Sequence, residues 1–394
     1  MRCADTKNNN SNFGTPRNPH NRDFYTGGSS GGSGYVLAAG LVPIALGADG
    51  GGSIRIPSSF CGSWGLKPSH GRISGAPTAG IASTVGVYGP MAASIDDLAL
   101  AYRVMAAPPP AEVDAVSSGF PHPLTTIPSE ATESVRTKTI GIPKAWVDRA
   151  EPKVRAFFDA AVDFYRNQKG YEVVDIEIPY LIEGQHAHAV MILAEIATAV
   201  RPEDRNRLLP HTKLLLTVSG SKSTGTDLIA AQKLRNLLMC HLSHLFHKYP
   251  GLVIMTPTTP IPGWKIEGGE KDLAYGVSDG KMSTRNMEYV WLANFTGCPA
   301  INCPVGYAPD TNMPIGLTGM GEWGSEEALF TFARDGEGIL DLDITTTPAA
   351  ATAASDDAPV LVSKGVRTPS DPSHWVDVIA EAEKKRSGGS VSKL

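Results

Sequence analysis

The chain has 394 residues, of which 42% are hydrophobic and 19% are charged, so it is able to bury a sizeable core and global disorder is excluded. Its formal net charge of -5 disfavours nucleic acids and anionic membrane surfaces as partners, because both favour basic proteins. Its 5 cysteines are scattered, which suits a reducing compartment better than a disulfide scaffold. No apolar run is long enough to predict a membrane span.

The first predicted feature in chain order is a glycine- and serine-rich stretch from Gly27 to Pro68. Its composition alone would fit a flexible linker, but apolar runs such as "YVLAAGLVPIAL" lie within it, and linkers of this kind lack them. We therefore expect this stretch to be buried and its glycines to let the backbone pass close to another group.

Helix-like and strand-like segments alternate after this stretch. A helix is predicted after Ser94, which can cap it, with Asp96 and Asp97 in its first turn. A proline-rich surface connection over 106–134 comes next. The segments "TIGIPKAW", "PKVRAFFDAAVDFYRNQKG" and "YEVVDIEIP" then predict a strand, an amphipathic helix and a strand. This succession indicates an α/β architecture.

Two further helices are predicted in "HAHAVMILAEIATAV" and in the segment that ends at Tyr249. The strand-like segments "GLVIMTPTTPIP", "NFTGCPAINCPVGY" and "MPIGLTGM" follow, and then the helix-like "SEEALFTFARD". Residues 1–340 therefore form the predicted domain. Residues 341–394 combine a low-complexity linker, one short helix and a tail.

The tail ends in Ser392, Lys393 and Leu394, the tripeptide that the peroxisomal import receptor recognises. It stands at the extreme C-terminus, on a basic segment rich in glycine and serine that a receptor can reach. We therefore expect the import receptor as a partner and the peroxisome as the location, with the cytoplasm as the alternative.

Ser53 follows three consecutive glycines, a pattern typical of a serine that attacks a carbonyl carbon. Such a serine needs a base that removes its proton and backbone N–H groups that stabilise the oxyanion. Glycines allow this close approach, so the amides of Gly50, Gly51, Gly52 and Ser53 are candidates for those donors. The earlier "GGSSG" formally matches a nucleophile elbow, but no buried strand precedes it, and we reject that interpretation.

The stretch "GGSSGGSGYVLAAGLVPIALGADGGGSIRIPSSFCGSWGLKPSHGRISG" resembles the signature sequence of the amidase signature family. Later segments, including "GPMAASIDDLA", "TPTTPIP" and "NFTGCPAINCPVGY", are similar to further blocks of that family in the same order. The resemblance implies a three-layer α/β/α sandwich around a large mixed β-sheet. It also implies hydrolysis of a carboxamide to a carboxylate and ammonia or an amine.

The resemblance further implies roles for individual residues. Ser53 is the expected nucleophile, and Ser29, which follows a cis peptide bond, is expected to relay its proton. The amides of Gly50, Gly51, Gly52 and Ser53 form the expected oxyanion hole. The residues expected to support this machinery are Ser30, Asp49 and Arg55. The last two are expected to hold the loop formed by Gly50, Gly51 and Gly52, called the glycine loop below.

The third catalytic residue of the family is a lysine that acts as general base, several tens of residues before the first signature serine. Only 28 residues precede Ser29, and neither Lys7 nor Lys67 occupies that position. Lys67 matches a structural lysine of the signature instead. We therefore expect this base to be absent, the fold to be incomplete at its N-terminus and the activity to be impaired.

No metal or organic cofactor is implied. His241, His244 and His247 recur on one predicted helix, but no carboxylate or cysteine is near them, which indicates a solvated face. His186 and His188 point to different faces of another helix, and this disfavours a shared metal.

Two alternatives to an active amidase stay open. The chain is either a non-catalytic pseudoenzyme or partial gene product that keeps the fold, or a relative of the amidotransferase component that supplies ammonia to glutamate charged on tRNA. The latter requires partner subunits, which the peroxisomal tail disfavours.

Lys281 and Arg285 fit a substrate pocket and a surface equally well. We expect a small amide as substrate, while the identity of the amide and a homodimer stay open.

Overall fold

The computed structural model describes residues 14–78, 80–125, 127, 137–275 and 279–342. Its strands are β1 (Ile44–Asp49), β2 (Trp64–Lys67), β3 (Val87–Ala92), β4 (Thr139–Ile142), β5 (Glu172–Asp175), β6 (Leu252–Pro257), β7 (Ala300–Tyr307) and β8 (Pro314–Met320). They form one sheet in the order β1-β3-β2-β7-β8-β6-β4-β5. β4 pairs in parallel with β5 and β6, and the other neighbouring strands pair antiparallel. The sheet is therefore mixed, as predicted.

The helices cover this sheet and connect its strands. They are α1 (Gly31–Ala38), α2 (Arg55–Cys61), α3 (Ile95–Met105), α4 (Ala115–Ser118), α5 (Lys144–Val147), α6 (Pro152–Lys169), α7 (Leu181–Ala199), α8 (Pro210–Lys222), α9 (Gly225–Lys248), α10 (Glu270–Tyr275), α11 (Gly280–Asn286), α12 (Trp291–Thr296) and α13 (Glu326–Asp335). Short 3₁₀ turns are formed by Pro123–Thr125, Pro202–Arg207 and Glu337–Asp341.

β6 illustrates why helices are needed on both faces of the sheet. Every residue of this strand is buried, and successive side chains of a strand point to opposite faces. Val253 and Met255 belong to a core that also contains residues of α3, α6 and α13. Leu252 and Ile254 belong to a second core, with residues of α7, α9 and α12. The predicted α/β/α layering is therefore confirmed.

Capping residues set several helix ends where the sequence predicts them. Ser94 precedes α3, and its hydroxyl oxygen accepts a hydrogen bond from the Asp97 amide at 3.1 Å. α6 ends before Gly170, which has a φ of 72°, a conformation that glycine adopts readily at this position. In the predicted strand "TIGIPKAW", by contrast, β4 stops at Ile142, because Pro143 carries no N–H for the ladder and α5 begins after it.

The C-terminal part of the predicted organisation is described only as far as residue 342. The predicted boundary at residue 340 falls within the turn Glu337–Asp341. The linker, the short helix and the Ser392–Leu394 tail lie outside the described residues. No helix in the described ranges is long and apolar enough to cross a membrane.

Candidate active site

The first signature serine, Ser29, lies two residues before the first residue of α1, and the Gly28–Ser29 peptide bond is cis, as expected. Ser29 and Ser53 both line one cavity of about 750 Å³. The structure therefore brings the two sequence-predicted serines to the same space, while a hydrogen bond between their hydroxyl groups stays a prediction.

Ser30 connects the segment of the first serine to that of the second. Its backbone N–H donates to the carbonyl of Ser53 at 3.1 Å. Its hydroxyl oxygen accepts from the Ala48 amide at 3.2 Å and donates to the Ala48 carbonyl at 3.3 Å. These three bonds hold α1 against the end of β1, so the two serine segments are fixed relative to each other.

Asp49 and Arg55 form an ion pair whose side chains are both 0% exposed. Arg55 Nε lies 3.0 Å from Asp49 Oδ2, and Nη2 lies 3.2 Å from Oδ1. Burial would raise the pKa of Asp49, but the Arg55 charge and the hydrogen bonds to the carboxylate lower it to about 2. Asp49 is therefore a carboxylate anion at neutral pH, and it lies at the centre of the glycine loop.

The glycine loop differs from expectation at Gly52. The Gly52 amide donates to Asp49 Oδ1 at 2.6 Å, so it is not available to an oxyanion, and Gly52 does not line the cavity. Gly50, Gly51 and Ser53 do line it, and their amides find no acceptor among the residues that the structure describes. The Gly52 amide is therefore engaged by Asp49 in this structure, while the amides of Gly50, Gly51 and Ser53 stay the predicted oxyanion donors.

Asn294 holds the other side of this loop and was not singled out from the sequence. Its Oδ1 accepts from Arg55 Nη2 at 2.6 Å, and its Nδ2 donates to the Asp49 carbonyl at 2.8 Å. The available signal is that Asn294 is the amide side chain in "WLANFT", a fully buried helix. Buried polar groups are almost always paired, but a sequence does not name the partner.

His188 is a second residue whose place the sequence did not predict. It is 1% exposed, lines the cavity, and its Nε2 lies 2.8 Å from the Gly50 carbonyl oxygen. Burial lowers the pKa of His188 to about 4, although the hydrogen bond to Gly50 acts in the opposite direction. The imidazole is therefore neutral at neutral pH, and Nε2 carries its proton, because a carbonyl oxygen only accepts.

The remaining wall of the cavity is mostly apolar. Its larger apolar side chains are those of Ile73, Ile81, Val87, Val116, Ile192, Leu193, Ile196, Leu215 and Met287. No lysine or arginine is found among its described lining residues. Lys281 and Arg285 do not line it, and Arg285 Nη2 donates to the Arg149 carbonyl instead. Asp114 and Asp279 also line the cavity, and their carboxylates accept hydrogen bonds from the Ser74 hydroxyl and the Met282 amide.

Lys67 lies at the end of β2 and is completely buried. Its ammonium group donates to the Pro68 carbonyl at 2.7 Å. Burial, with a smaller contribution from the Arg55 charge, lowers the pKa of Lys67 to about 7. Lys67 is not among the described residues that line the cavity, so this geometry assigns it no contact with a substrate.

The predicted solvated histidines lie on α9, where His241 Nε2 is 2.7 Å from the Glu177 carbonyl oxygen. Over the described ranges, no three His, Cys, Asp or Glu side chains are grouped so as to hold a metal ion.

Comparisons with known proteins identify relatives of two kinds. A fatty acid amide hydrolase of Medicago truncatula is 36% identical over 338 residues, which are 83% of this chain and 54% of that protein. A glutamyl-tRNA(Gln) amidotransferase subunit from Thermus thermophilus is 31% identical over 346 residues, or 82% of this chain and 69% of that one. This chain thus spans about half the length of the fatty acid amide hydrolase that it matches.

A solved structure gives the same result for the fold. The chain superimposes on the corresponding glutamyl-tRNA(Gln) amidotransferase subunit from Thermotoga maritima with a TM-score of 0.68 and 25% identity, covering 89% of this chain and 72% of that one. The model of the amidase family matches residues 4–330. The chain therefore belongs to the amidase signature family.

Proposed function

We propose that this chain hydrolyses a carboxamide with an apolar acyl group, and that Ser53 is the nucleophile. The observation that carries the proposal is the cavity itself: Ser29, Ser53 and Gly51, whose amide donates to no described residue, all line it, and most of its remaining lining is apolar. An apolar acyl chain is the group that such a wall binds best. The similarity to fatty acid amide hydrolases supports this substrate class.

In the proposed reaction, Ser53 Oγ attacks the amide carbon and its proton passes to Ser29, which releases its own hydroxyl proton to a base. The oxyanion accepts hydrogen bonds from the amides of Gly50, Gly51 and Ser53. The C–N bond then breaks, and the nitrogen takes up a proton and leaves as ammonia or an amine. Water hydrolyses the ester on Ser53, which releases the carboxylate and restores the serine.

The base that takes the proton from Ser29 is not identified among the described cavity residues, because none of them is a lysine. General-base assistance is worth about 10²–10⁴-fold in rate. We therefore expect slow turnover from the chain as given. Replacing Lys7 or Lys67 by Met tests whether either lysine contributes to the turnover that remains.

Release of ammonia from glutamine, as the similarity to amidotransferase subunits suggests, is supported less well. Glutamine carries an α-carboxylate, which proteins usually bind with Arg or Lys. Neither lines the cavity in the described ranges.

The experiment uses a serine-directed fluorophosphonate together with glutamine and with short-chain and long-chain aliphatic primary amides. We expect wild-type protein and the exposed control Ser243→Ala to be labelled, Ser53→Ala to stay unlabelled, and long-chain amides to release ammonia faster. Labelling that persists in Ser53→Ala would overturn the nucleophile. No labelling and no ammonia from any amide would instead support the pseudoenzyme. Preference for glutamine would support the amidotransferase-like alternative.

A further inference from the structure

The peptide unit between Gly50 and Gly51 has a carbonyl that accepts from a buried donor and an amide that has no acceptor among the described residues. His188 Nε2 lies 2.8 Å from the Gly50 oxygen, whereas the Gly51 amide donates to no described residue. Cis bonds in the described ranges occur at Gly28–Ser29 and Ala76–Pro77, so this peptide is trans. In a trans peptide the C=O and N–H point in opposite directions. The contact with His188 therefore fixes the direction of the Gly51 N–H.

This peptide is the part of the loop that the buried ion pair does not hold. The Asp49 carbonyl is bound by Asn294, and the Gly52 amide is bound by the Asp49 carboxylate. Between these two anchors, Gly50 and Gly51 have no Cβ, and glycine backbones rotate more freely than others. A rotation of the peptide would turn the Gly51 N–H away from its present direction, and His188 supplies the hydrogen bond that opposes it.

His188 is itself held firmly in place. It lies on the 19-residue helix α7, and its ring stands at 90° to that of Phe295, with 6.3 Å between ring centroids. Its Cε1 lies only 3.0 Å from the point that a Cβ on Gly51 would occupy. The absence of a side chain on Gly51 is therefore what lets the imidazole approach the loop.

We propose that His188 is a positioning residue for the hydrolysis: its Nε2–H holds the Gly50–Gly51 peptide so that the Gly51 amide faces the oxyanion formed when Ser53 attacks. This inference rests on the proposed function. It assigns His188 no proton transfer and no contact with the reacting atoms, because its bonded proton stays between Nε2 and the Gly50 oxygen.

The test replaces His188 by residues with and without a donor of the same reach. His188→Gln keeps an N–H near the position of Nε2, whereas His188→Leu removes the donor. His188→Asn carries the same amide on a side chain too short to reach the Gly50 oxygen, and it serves if the Leu variant does not fold. His186→Leu is the matched control, because His186 is exposed on the same helix.

Two quantities separate positioning from structural support: the rate constant of Ser53 labelling by a long-chain fluorophosphonate, and the affinity for the corresponding long-chain alcohol, which forms no oxyanion. We expect labelling to fall about 10²-fold in His188→Leu and His188→Asn. The alcohol affinity should stay within about twofold, because ground-state binding does not use the oxyanion donors. His188→Gln should regain most of the labelling rate, and His186→Leu should match wild-type protein.

Equal labelling of wild-type protein and His188→Leu would overturn the inference, as would an equal loss of labelling and alcohol affinity in the Leu, Asn and Gln variants. Absence of labelling in wild-type protein would overturn the proposed function first, and the role of His188 with it. The wild-type result therefore distinguishes the two failures.

Discussion

Asp49 and Arg55 form a fully buried ion pair beside the glycine loop, with Arg55 Nε 3.0 Å from Asp49 Oδ2. The carboxylate binds the amides of Gly52 and Ile54, and the guanidinium donates to the Val290 carbonyl and to Asn294. The ion pair thus links the loop that carries Ser53 to α12, which lies far along the chain.

We predict that Asp49→Ala lowers the free energy of unfolding by about 3–5 kcal/mol, because it leaves the Arg55 charge buried without its partner. Urea unfolding measures this loss. Asp175→Ala is the control, since the Asp175 side chain is 64% exposed in its pair with Lys144 and such pairs are worth about 0–1 kcal/mol. Similar losses in both variants would contradict the prediction.

Ser30→Ala should lower the free energy of unfolding by about 1 kcal/mol, since both backbone groups of Ala48 lose their hydrogen bonds to the Ser30 hydroxyl. The neighbouring Ser33→Ala removes one exposed bond to the Leu46 carbonyl, and we expect it to stay within about 0.5 kcal/mol of wild-type protein. The same unfolding experiment compares the two, and a larger effect of Ser33→Ala would contradict the role of Ser30 in joining the two serine segments.

Gly52→Ala should be clearly more destabilising than Gly50→Ala. Gly52 has a φ of +103°, and a Cβ there would lie 2.3 Å from Val290 Cγ2. At Gly50 the nearest atom would be the end of the Ile192 side chain, at 3.0 Å, which can move. Alanine at positive φ costs more than about 1 kcal/mol. Thermal unfolding measures the order, and equal midpoints in the two variants would refute it.

The buried amine of Lys67 predicts a specific dependence of stability on pH. Its pKa is about 7 in the folded chain, below its ordinary value of 10.5. Between these values the unfolded chain binds more protons, so the contribution of Lys67 to the free energy of unfolding rises with pH, by at most about 1.4 kcal/mol per pH unit.

Lys67→Met removes this contribution. The stability of Lys67→Met relative to wild-type protein should therefore fall as the pH is raised from about 7 to about 9. Lys144→Met is the control, because the Lys144 side chain is 62% exposed and its effect should not change with pH. A constant difference between wild-type protein and Lys67→Met over this range would show that the amine is not buried as described.

We also propose import into peroxisomes through Ser392, Lys393 and Leu394. A fluorescent protein fused to residues 341–394 should appear punctate and coincide with a peroxisomal marker, and deletion of Leu394 should make it diffuse, because the receptor reads the terminal tripeptide. Diffuse fluorescence in both fusions would contradict the proposal.

The sequence predicts those parts of the fold that follow from local patterns. Fully buried runs such as "LVIMTP" in β6 and the caps at Ser94 and Gly170 lie where the patterns place them. The signature motif also brings Ser29 and Ser53 to the same cavity, because both lie in one short stretch of chain.

The contacts that complete the site could not be predicted in this way. His188 lies 138 positions from Gly50, and Asn294 lies 245 positions from Asp49. Such pairs are set by how helices pack on the sheet, and a single sequence carries no record of them. The bond between the Gly52 amide and Asp49 escaped prediction for a related reason: a run of glycines shows that amides are accessible, but not which of them a neighbouring carboxylate takes.

These long-range anchors make the reactive loop a cooperative part of the molecule. Arg55 contacts Asn294 across 239 positions of sequence, so the loop cannot keep its conformation after α12 has left the sheet. Labelling of Ser53 during denaturation should therefore follow the global unfolding transition, with no earlier step of its own. Substitution of Leu292, which is buried in α12 and does not line the cavity, would lower the yield of reactive protein without altering the chemistry of the molecules that remain folded.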